Sequence, residues 1–399
     1  MADLLTGGGL RARDHHLLED EARSTGPVHA ARRPDGVRVS VVTVGLELTR
    51  ALLADRRLSK DSGLLQREMM RQLNEAGSAQ TDLAGLFGPS MLNSDNPRHA
   101  RLRRLAVKAF HHQAVHRLAP RVEQITSELV DALPERVEVD IVARLAVPMP
   151  LHVIGEVLGV PEDDRVAVRR LIETMLSMDP ALSQPASDAL GGYFHELLTG
   201  GSLGEGSLFK ALVEADDDGD RLTHDELIAM AFLLVVAGHE TTAGLIANVV
   251  HDALDNGLWE EAAANPALVP LLVEETLRHN SPVRHATHRI TTERVEIEGV
   301  AVPENTILLI NLGSAGRCPR AHEDAAEYRV GRGVNGHATF GYGPHFCLGS
   351  SLARLETETV LRHLVTRFPR AVRARAEQPP VTHNDIMVSL ASLPVVLGR

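Results

Sequence analysis

Two cysteines in 399 residues are too few for a disulfide framework or a four-cysteine zinc site, and they point to a reducing compartment. Positive charge is also short: 41 Lys and Arg stand against 53 Asp and Glu, a formal net charge of −12. A surface of that sign argues against nonspecific binding of nucleic acid or of an anionic membrane. Long apolar runs are missing. The longest, Leu227 to Gly238, is too short to cross a bilayer and reads as a buried helix. Residues 1–30 mix Arg, Asp, Glu and His with a few leucines and carry no signal-peptide or anchor pattern. No internal repeat, low-complexity linker or domain boundary stands out, and none of the 20 histidines falls in a His-Glu-x-x-His or similar metal spacing. One soluble cytoplasmic domain over residues 1–399 is expected, with a short polar segment at 1–26.

What remains is an ordinary globular balance, 44% hydrophobic and 24% charged, with ample core material. Val37 to Val41 alternates as a strand, and helical periodicity follows from Leu46 to Leu53. Residues 60–95 read as loop-rich and end in Asn93-Ser94-Asp95-Asn96-Pro97, a helix-entry signal. From Arg98 to about Leu277 the pattern is almost all helical, with breaks near 179–188 and 199–207. Thr223-x-x-Glu226 is a capping box for the apolar helix and Gly257 is its stop; at about 1.5 Å per residue this rod spans roughly 48 Å. Short strands are expected at Arg294–Glu298 and Thr306–Asn311. The fold class is mainly α with a minor β region.

The most telling stretch is Phe340-Gly341-Tyr342-Gly343-Pro344-His345-Phe346-Cys347-Leu348-Gly349, a glycine-punctuated loop before a helix reading Leu348 to Phe368. A cysteine there sits at the positive end of the helix, which lowers its pKa and favours the thiolate. The glycines allow a tight turn, and Phe340 and Phe346 can keep water from the sulfur. These are the requirements of a cysteine thiolate on haem iron. A buried structural cysteine on a Gly-rich turn is the plainer alternative.

Four more segments bear on the chemistry. Ala237-Gly238-His239-Glu240-Thr241-Thr242 puts glycine beside paired hydroxyls inside the long helix, which invites a local distortion. Glu240 next to Thr241 is a sensible proton relay for reductive cleavage of O2, although an ordinary kink fits the same residues. Glu275 and Arg278, three apart, share a helix face and can pair. His99 and Arg103, four apart, share another and suit a carboxylate ligand. Arg101, Arg104 and Lys108 lie on the opposite face of that helix, with Arg354 and Arg362 after the cysteine. Together they form either a basic docking patch or a solvated face. Glu214 to Gly219 imitates a calcium loop but lacks its first Asp and its bidentate Glu, so a solvated turn is expected.

The cysteine loop resembles the haem-binding loop of the cytochrome P-450 superfamily, Phe-x-x-Gly-x-x-x-Cys-x-Gly, at every fixed position. The helix segment is similar to the superfamily's (Ala/Gly)-Gly-x-(Asp/Glu)-Thr-(Thr/Ser), Glu275 and Arg278 to its Glu-x-x-Arg, and His99 to Arg103 to the His-x-x-x-Arg of bacterial members. The motifs stand in family order from about Pro27 to Leu397. The resemblance implies a cytochrome P-450 fold around haem b. Cys347 would be the metal ligand, and Phe340, Gly341 and Gly349 would shape its loop. His99, Arg103, Arg289 and His345 would hold the propionates. Glu240 and Thr241 would be catalytic, and Glu275 and Arg278 structural. Leu92, Leu234, Ala237, Val283, His285 and Met387 would line the substrate pocket, within a lining drawn from loop 62–92, Val283–Thr287 and Met387–Leu390. It further implies a monooxygenase taking O2 and a hydrophobic small molecule, with a ferredoxin and ferredoxin reductase as electron donors and no nucleic-acid or membrane partner. Leu58-Ser59-Lys60-Asp61 and Met91 to Asp95 look most like actinobacterial members that tailor macrolides and other secondary metabolites. Two alternatives are a haem-thiolate enzyme of rearrangement or dehydration, and a non-catalytic domain that recruits carrier proteins. One departure is Ala315-Gly316-Arg317-Cys318-Pro319, where bacterial members usually show Ala-Asn-Arg-Asp-Pro.

Overall fold

A computed structural model describes residues 10–33, 35–77, 90–175, 180–200, 203–332 and 336–398. The chain opens with α1 (Asp14–Thr25), β1 (Val28–Arg32), β2 (Arg38–Val42), α2 (Leu46–Ala54), β3 (Leu58–Ser59) and α3 (Ser62–Glu75). A helical stretch follows: α4 (Arg98–Ala109), α5 (His112–His116), α6 (Ala119–Asp131), β4 (Glu138–Asp140), α7 (Pro148–Leu158), α8 (Arg165–Met175), α9 (Pro180–Thr199), α10 (Leu208–Glu214), α11 (His224–Asp255), α12 (Trp259–Ala264) and α13 (Leu268–His279). The remainder holds β5 (Arg289–Thr291), β6 (Val295–Ile297), β7 (Val300–Val302), β8 (Ile307–Ile310), α14 (Leu312–Gly316), α15 (Ser350–Arg367), β9 (Val372–Arg373), β10 (Val381–His383), β11 (Val388–Leu390) and β12 (Pro394–Val396).

The main sheet runs β1-β2-β8-β5-β3, with β2 and β8 parallel and its other pairs antiparallel. Alternation decides what each of its faces covers. Val42, Leu308 and Ile310 join Leu46, Leu52 and Leu53 of α2 in one cluster, while Val39, Val41, Ile307 and Leu309 join Leu65, Met69 and Leu73 of α3 in another. Residues 60–95, expected to be loop-rich, therefore contain a helix. Leu65, Met69 and Leu73 recur every four residues, and Asp61 caps the start by accepting from Leu64 N at 2.9 Å. Residues 78–89 of the expected pocket loop lie outside the described residues.

α11 carries the helical core. Its 32 residues begin at the expected capping box, Glu226 N donating to Thr223 Oγ1 at 3.3 Å and Thr223 N to Glu226 Oε2 at 3.0 Å. Every residue from Thr242 to Ala253 is buried, so this half packs on all sides, against α7, α13 and α15 among others. The helix is long and apolar enough to cross a membrane, but those contacts make it a core element. The break expected near 179–188 does not end a helix after Pro180: α9 runs through it with Pro185 in its second turn, at the loss of one backbone hydrogen bond. Residues 176–179 and 201–202, parts of the two expected breaks, lie outside the described residues. The polar N-terminal segment also differs from expectation. Glu19 of α1 is buried and pairs with buried Arg284, whose Nε donates to Glu19 Oε1 at 2.9 Å, and Asp20 pairs with Arg317 at 3.0 Å.

Candidate functional site

The cysteine loop is closed by Cys347 N donating to Phe340 O at 2.8 Å, and Gly341 and Gly343 turn it at φ +76 and +73, backbone that a side chain disfavours. Cys347 lies just before α15, whose first helical residue is Ser350. Burial pushes its thiol up; the Gly349 N–H, Arg103 and Arg354 pull it down without prevailing. The expected lowering at the helix end is thus overturned by desolvation, although a bound metal cation would itself favour the thiolate. Solvent still reaches the residue. Phe340 is half-buried with the Arg354 guanidinium 4.5 Å from its ring centre. Phe346 is 41% exposed and is no shield. The other cysteine, Cys318, is buried in the coil after α14.

Beside this loop the structure gathers His99 and Arg103 of α4, Arg289 of β5 and His345. The His99 and His345 rings lie 3.9 Å apart at 37°. Burial, then Lys60, His99, Arg289 and Arg103, hold His345 down at about 2, so the ring is neutral. Burial lowers Arg289 to about 10; its Nε has no partner, and its Nη1 makes only a long contact of 3.4 Å to Leu58 O. Burial also lowers Arg103. Lys60, 1% exposed, joins the same group and had no role in the sequence reading. None of Lys60, Arg103 and Arg289 enters an ion pair among the described residues. Converging cations with an orphaned guanidinium nitrogen fit a dicarboxylate such as the two propionates of haem b.

On α11 the helix runs unbroken through Ala237 to Thr242, so the expected distortion is limited to a side-chain bond: Thr241 Oγ1 donates to Ala237 O at 2.6 Å. Glu240 is solvent-accessible, yet surrounding protein raises its carboxyl, as a concave setting does. A carboxyl shifted toward the protonated form, one residue from a hydroxyl, can donate as well as accept.

Glu275 and Arg278 of α13 are both fully buried and doubly bonded, at 2.8 Å (Nε–Oε2) and 2.6 Å (Nη2–Oε1). Arg278 also donates to the carbonyls of Gly316 (2.9 Å), Ala325 (2.8 Å) and Glu327 (2.7 Å). Glu275 accepts from Arg329 N (2.8 Å) and Arg332 Nε (3.2 Å). The pair thereby fixes the coil that leads to the cysteine loop, and Thr339 Oγ1 ties the loop's root to Leu277 O at 2.6 Å. The departure at Gly316 has a steric reason here: a Cβ would lie 2.3 Å from Arg278 O, so the chain passes α13 too closely for any side chain.

Other expectations land differently. Arg101, Arg104 and Lys108 are not a free patch. Arg101 pairs with Asp220 and Glu226, each at 2.8 Å, Lys108 with Asp217 at 2.7 Å, and Arg104 with Asp217. The calcium-like turn is therefore the anionic partner of α4. Arg354 pairs with Glu274 and Arg362 with Glu123. Of the expected pocket residues, Leu234 is half-buried and Ala237 exposed, three apart on one face of α11; Leu92 and Val283 are half-buried, and Met387, 7% exposed, bridges to Val283. His285 is engaged elsewhere. Its ring nitrogens are taken by Asp385 O (2.8 Å) and Asn311 Nδ2 (3.2 Å), and it lines a small cavity with His15, Glu19 and Arg284 under α1.

Residues 260–398 match the family model described as Cytochrome P450. The chain is 40% identical to Cytochrome P450 107B1 of Saccharopolyspora erythraea over 99% of its length and 98% of that protein. It is 36% identical to 6-deoxyerythronolide B hydroxylase of the same organism over 89% of each chain. Among solved structures, the ligand-free monooxygenase TamI superposes with a TM-score of 0.87 at 35% identity, covering 96% of this chain and 92% of the other.

Proposed function

The chain belongs to the cytochrome P-450 family, and on that premise we propose that it hydroxylates or epoxidises a hydrophobic polyketide- or macrolide-type molecule in the cytoplasm, drawing electrons from a ferredoxin and its reductase. As a member it is a monooxygenase, an oxidoreductase that binds haem b through a cysteine thiolate and uses O2 and a small substrate. The bound haem supplies the reductive activation of O2. Cys347 is read as the thiolate, since it alone of the two cysteines stands on the turned loop ahead of α15. Arg103, Arg289, His99 and His345 hold the propionates. The raised carboxyl of Glu240 takes protons from solvent, and the Thr241 hydroxyl, turning from the Ala237 carbonyl, passes them inward. Leu234, Ala237, Val283 and Met387 offer mainly apolar contact, which suits a substrate held by few polar groups. The substrate class draws support from the relative named for hydroxylating 6-deoxyerythronolide B. A ferredoxin would meet the loop face, where Tyr342 and Phe346 are exposed, rather than the ion-paired face of α4.

The observation that carries this reading is a cysteine loop set beside buried Lys60 and Arg289 and half-buried Arg103, cations that enter no ion pair among the described residues. Its test is the carbon monoxide difference spectrum of the reduced protein, followed by turnover of a substrate found by spin-state titration against macrolides and related natural products. Cys347→His is expected to abolish the thiolate-type Soret band and Cys318→Ser to keep it. Thr241→Ala is expected to keep haem but divert electrons from product to peroxide. An unchanged spectrum in Cys347→His, or full coupling in Thr241→Ala, overturns the assigned roles.

A further inference from the structure

After β3 the chain turns one charged side chain inward: Lys60 is among the largest fully buried side chains in the protein. Burying an ammonium is costly unless an anion meets it. Among the described residues its ammonium meets only the neutral Thr287 hydroxyl. Asp95 is close, but it accepts from the backbone N–H of Lys60 at 3.1 Å and from Ser59 Oγ, not from the ammonium. Lys60 faces the same space as the cations beside the cysteine loop. β3 pairs with β5 through Ser59 and Ile290, which sets Lys60 across from Arg289.

A charge count shows what is missing. Burial holds Lys60 below the ordinary lysine range, so it carries its charge where an anion meets it. With it charged, Lys60, Arg103 and Arg289 bring three positive charges and Asp95 one negative charge, Asp55 near Arg289 being neutralised by Arg57 at 2.7 Å. Two further negative charges would close the balance, the number that two propionates carry. Without Lys60 the same assembly would be left with an excess negative charge. We propose that Lys60, steadied by Thr287, is a third cation for the haem propionates, alongside Arg103 and Arg289. This rests on reading Arg103, Arg289, His99 and His345 as the propionate cradle.

The test compares haem loss to excess apomyoglobin from the parent chain and from Lys60→Met, which keeps length and burial but removes the charge. Haem loss is expected to be about 10- to 100-fold faster in the variant, the range of one charge-assisted hydrogen bond. The iron midpoint potential is expected to fall, because a cation that favoured the reduced state has gone. Both full-length chains are then reconstituted with haem dimethyl ester, whose propionates are uncharged, and the difference in haem loss is expected to vanish. An equal difference with both haems means a merely structural lysine and overturns the proposal. So do unchanged loss and potential with ordinary haem. If the parent chain itself carries no haem b by its pyridine haemochrome spectrum, the cradle reading fails together with Lys60, an outcome distinct from a haem-loaded parent matched by its variant.

Discussion

Glu275–Arg278, fully buried, and the Lys60–Arg103–Arg289 group, buried but for half-buried Arg103, are two charge centres that flank the cysteine loop on different principles. In the first, Arg278 meets Glu275 and the protein satisfies the remaining donors and acceptors: four further bonds to the backbone of Gly316, Ala325, Glu327 and Arg329, and one from the Arg332 guanidinium, surround the pair. In the second, none of the three cations enters an ion pair among the described residues, and a guanidinium nitrogen of Arg289 is left over. Desolvating a charge costs several kcal/mol, and only good local geometry repays it. The closed centre is repaid by the protein itself and so holds a coil in place. The open centre is repaid by what it binds. A satisfied charge is architecture, and an unsatisfied one is a site.

The largest effect is expected from breaking the closed centre on one side. Arg278→Leu leaves Glu275 buried without its main partner and frees three carbonyls, which costs about 3–5 kcal/mol. Chemical denaturation should show that loss, with haem content falling because the coil beneath the loop is released. By contrast, charge-neutralising changes in the open centre should weaken haem retention before they weaken the fold. A stable, haem-replete Arg278→Leu protein would erase the distinction between the two.

Gly316 sharpens the same centre. Replacing it with Asn, the residue more usual in bacterial members, puts a Cβ against the Arg278 carbonyl. The expected cost is about 1–3 kcal/mol from overpacking, read as a lower melting temperature. The closeness of this coil to α13 comes from contacts between residues far apart in the sequence, so the departure was visible in the chain while its reason was not.

Much of what local spacing can encode was legible. The Thr223–Glu226 box, the Glu275–Arg278 pair and the shared face of His99 and Arg103 all depend on neighbours three or four residues apart. The cysteine loop was legible because its glycines set its turn. The ion pairs of Arg101, Arg104 and Lys108 were not, since Asp217 and Asp220 are more than a hundred residues away, and a basic helix face looks the same whether or not an acidic turn covers it. Lys60 was hidden for a related reason: nothing beside it in the sequence shows that β3 delivers it into the interior. The thiol of Cys347 misled because a helix end was weighed without the burial that opposes it.

Glu356 on α15 is a third case, a buried carboxyl with Oε2 unpartnered and no ion pair among the described residues. Burial pushes it up to about 8 from an ordinary 4.5. It is therefore protonated in the fold where the unfolded chain is ionised, and its contribution is fully present below about pH 4.5 and lost as pH rises through about 8. Glu356→Gln is expected to remove that slope, so that urea stability measured from about pH 5 to about pH 9 shows the variant gaining on the parent by a few kcal/mol toward the alkaline end. Parallel curves for the two proteins would mean that a partner reaches this carboxyl.

The smallest effect is expected where charges are paired but wet. Arg104 and Lys108 meet Asp217 at the surface, where solvent screens the attraction and each side chain gives up freedom to hold it. Reversing both to Glu repels Asp217 and loosens the turn before α11, a modest loss of stability that added salt should diminish. The same reversal tests the electron route. The native charges are already cancelled by the acidic turn, so they have little field left to steer an acidic ferredoxin. Stopped-flow reduction should accordingly keep nearly the same dependence on ionic strength in variant and parent. A steep loss of rate at low salt would show that the ion pairs open when the donor docks, and that α4 belongs to the docking face after all.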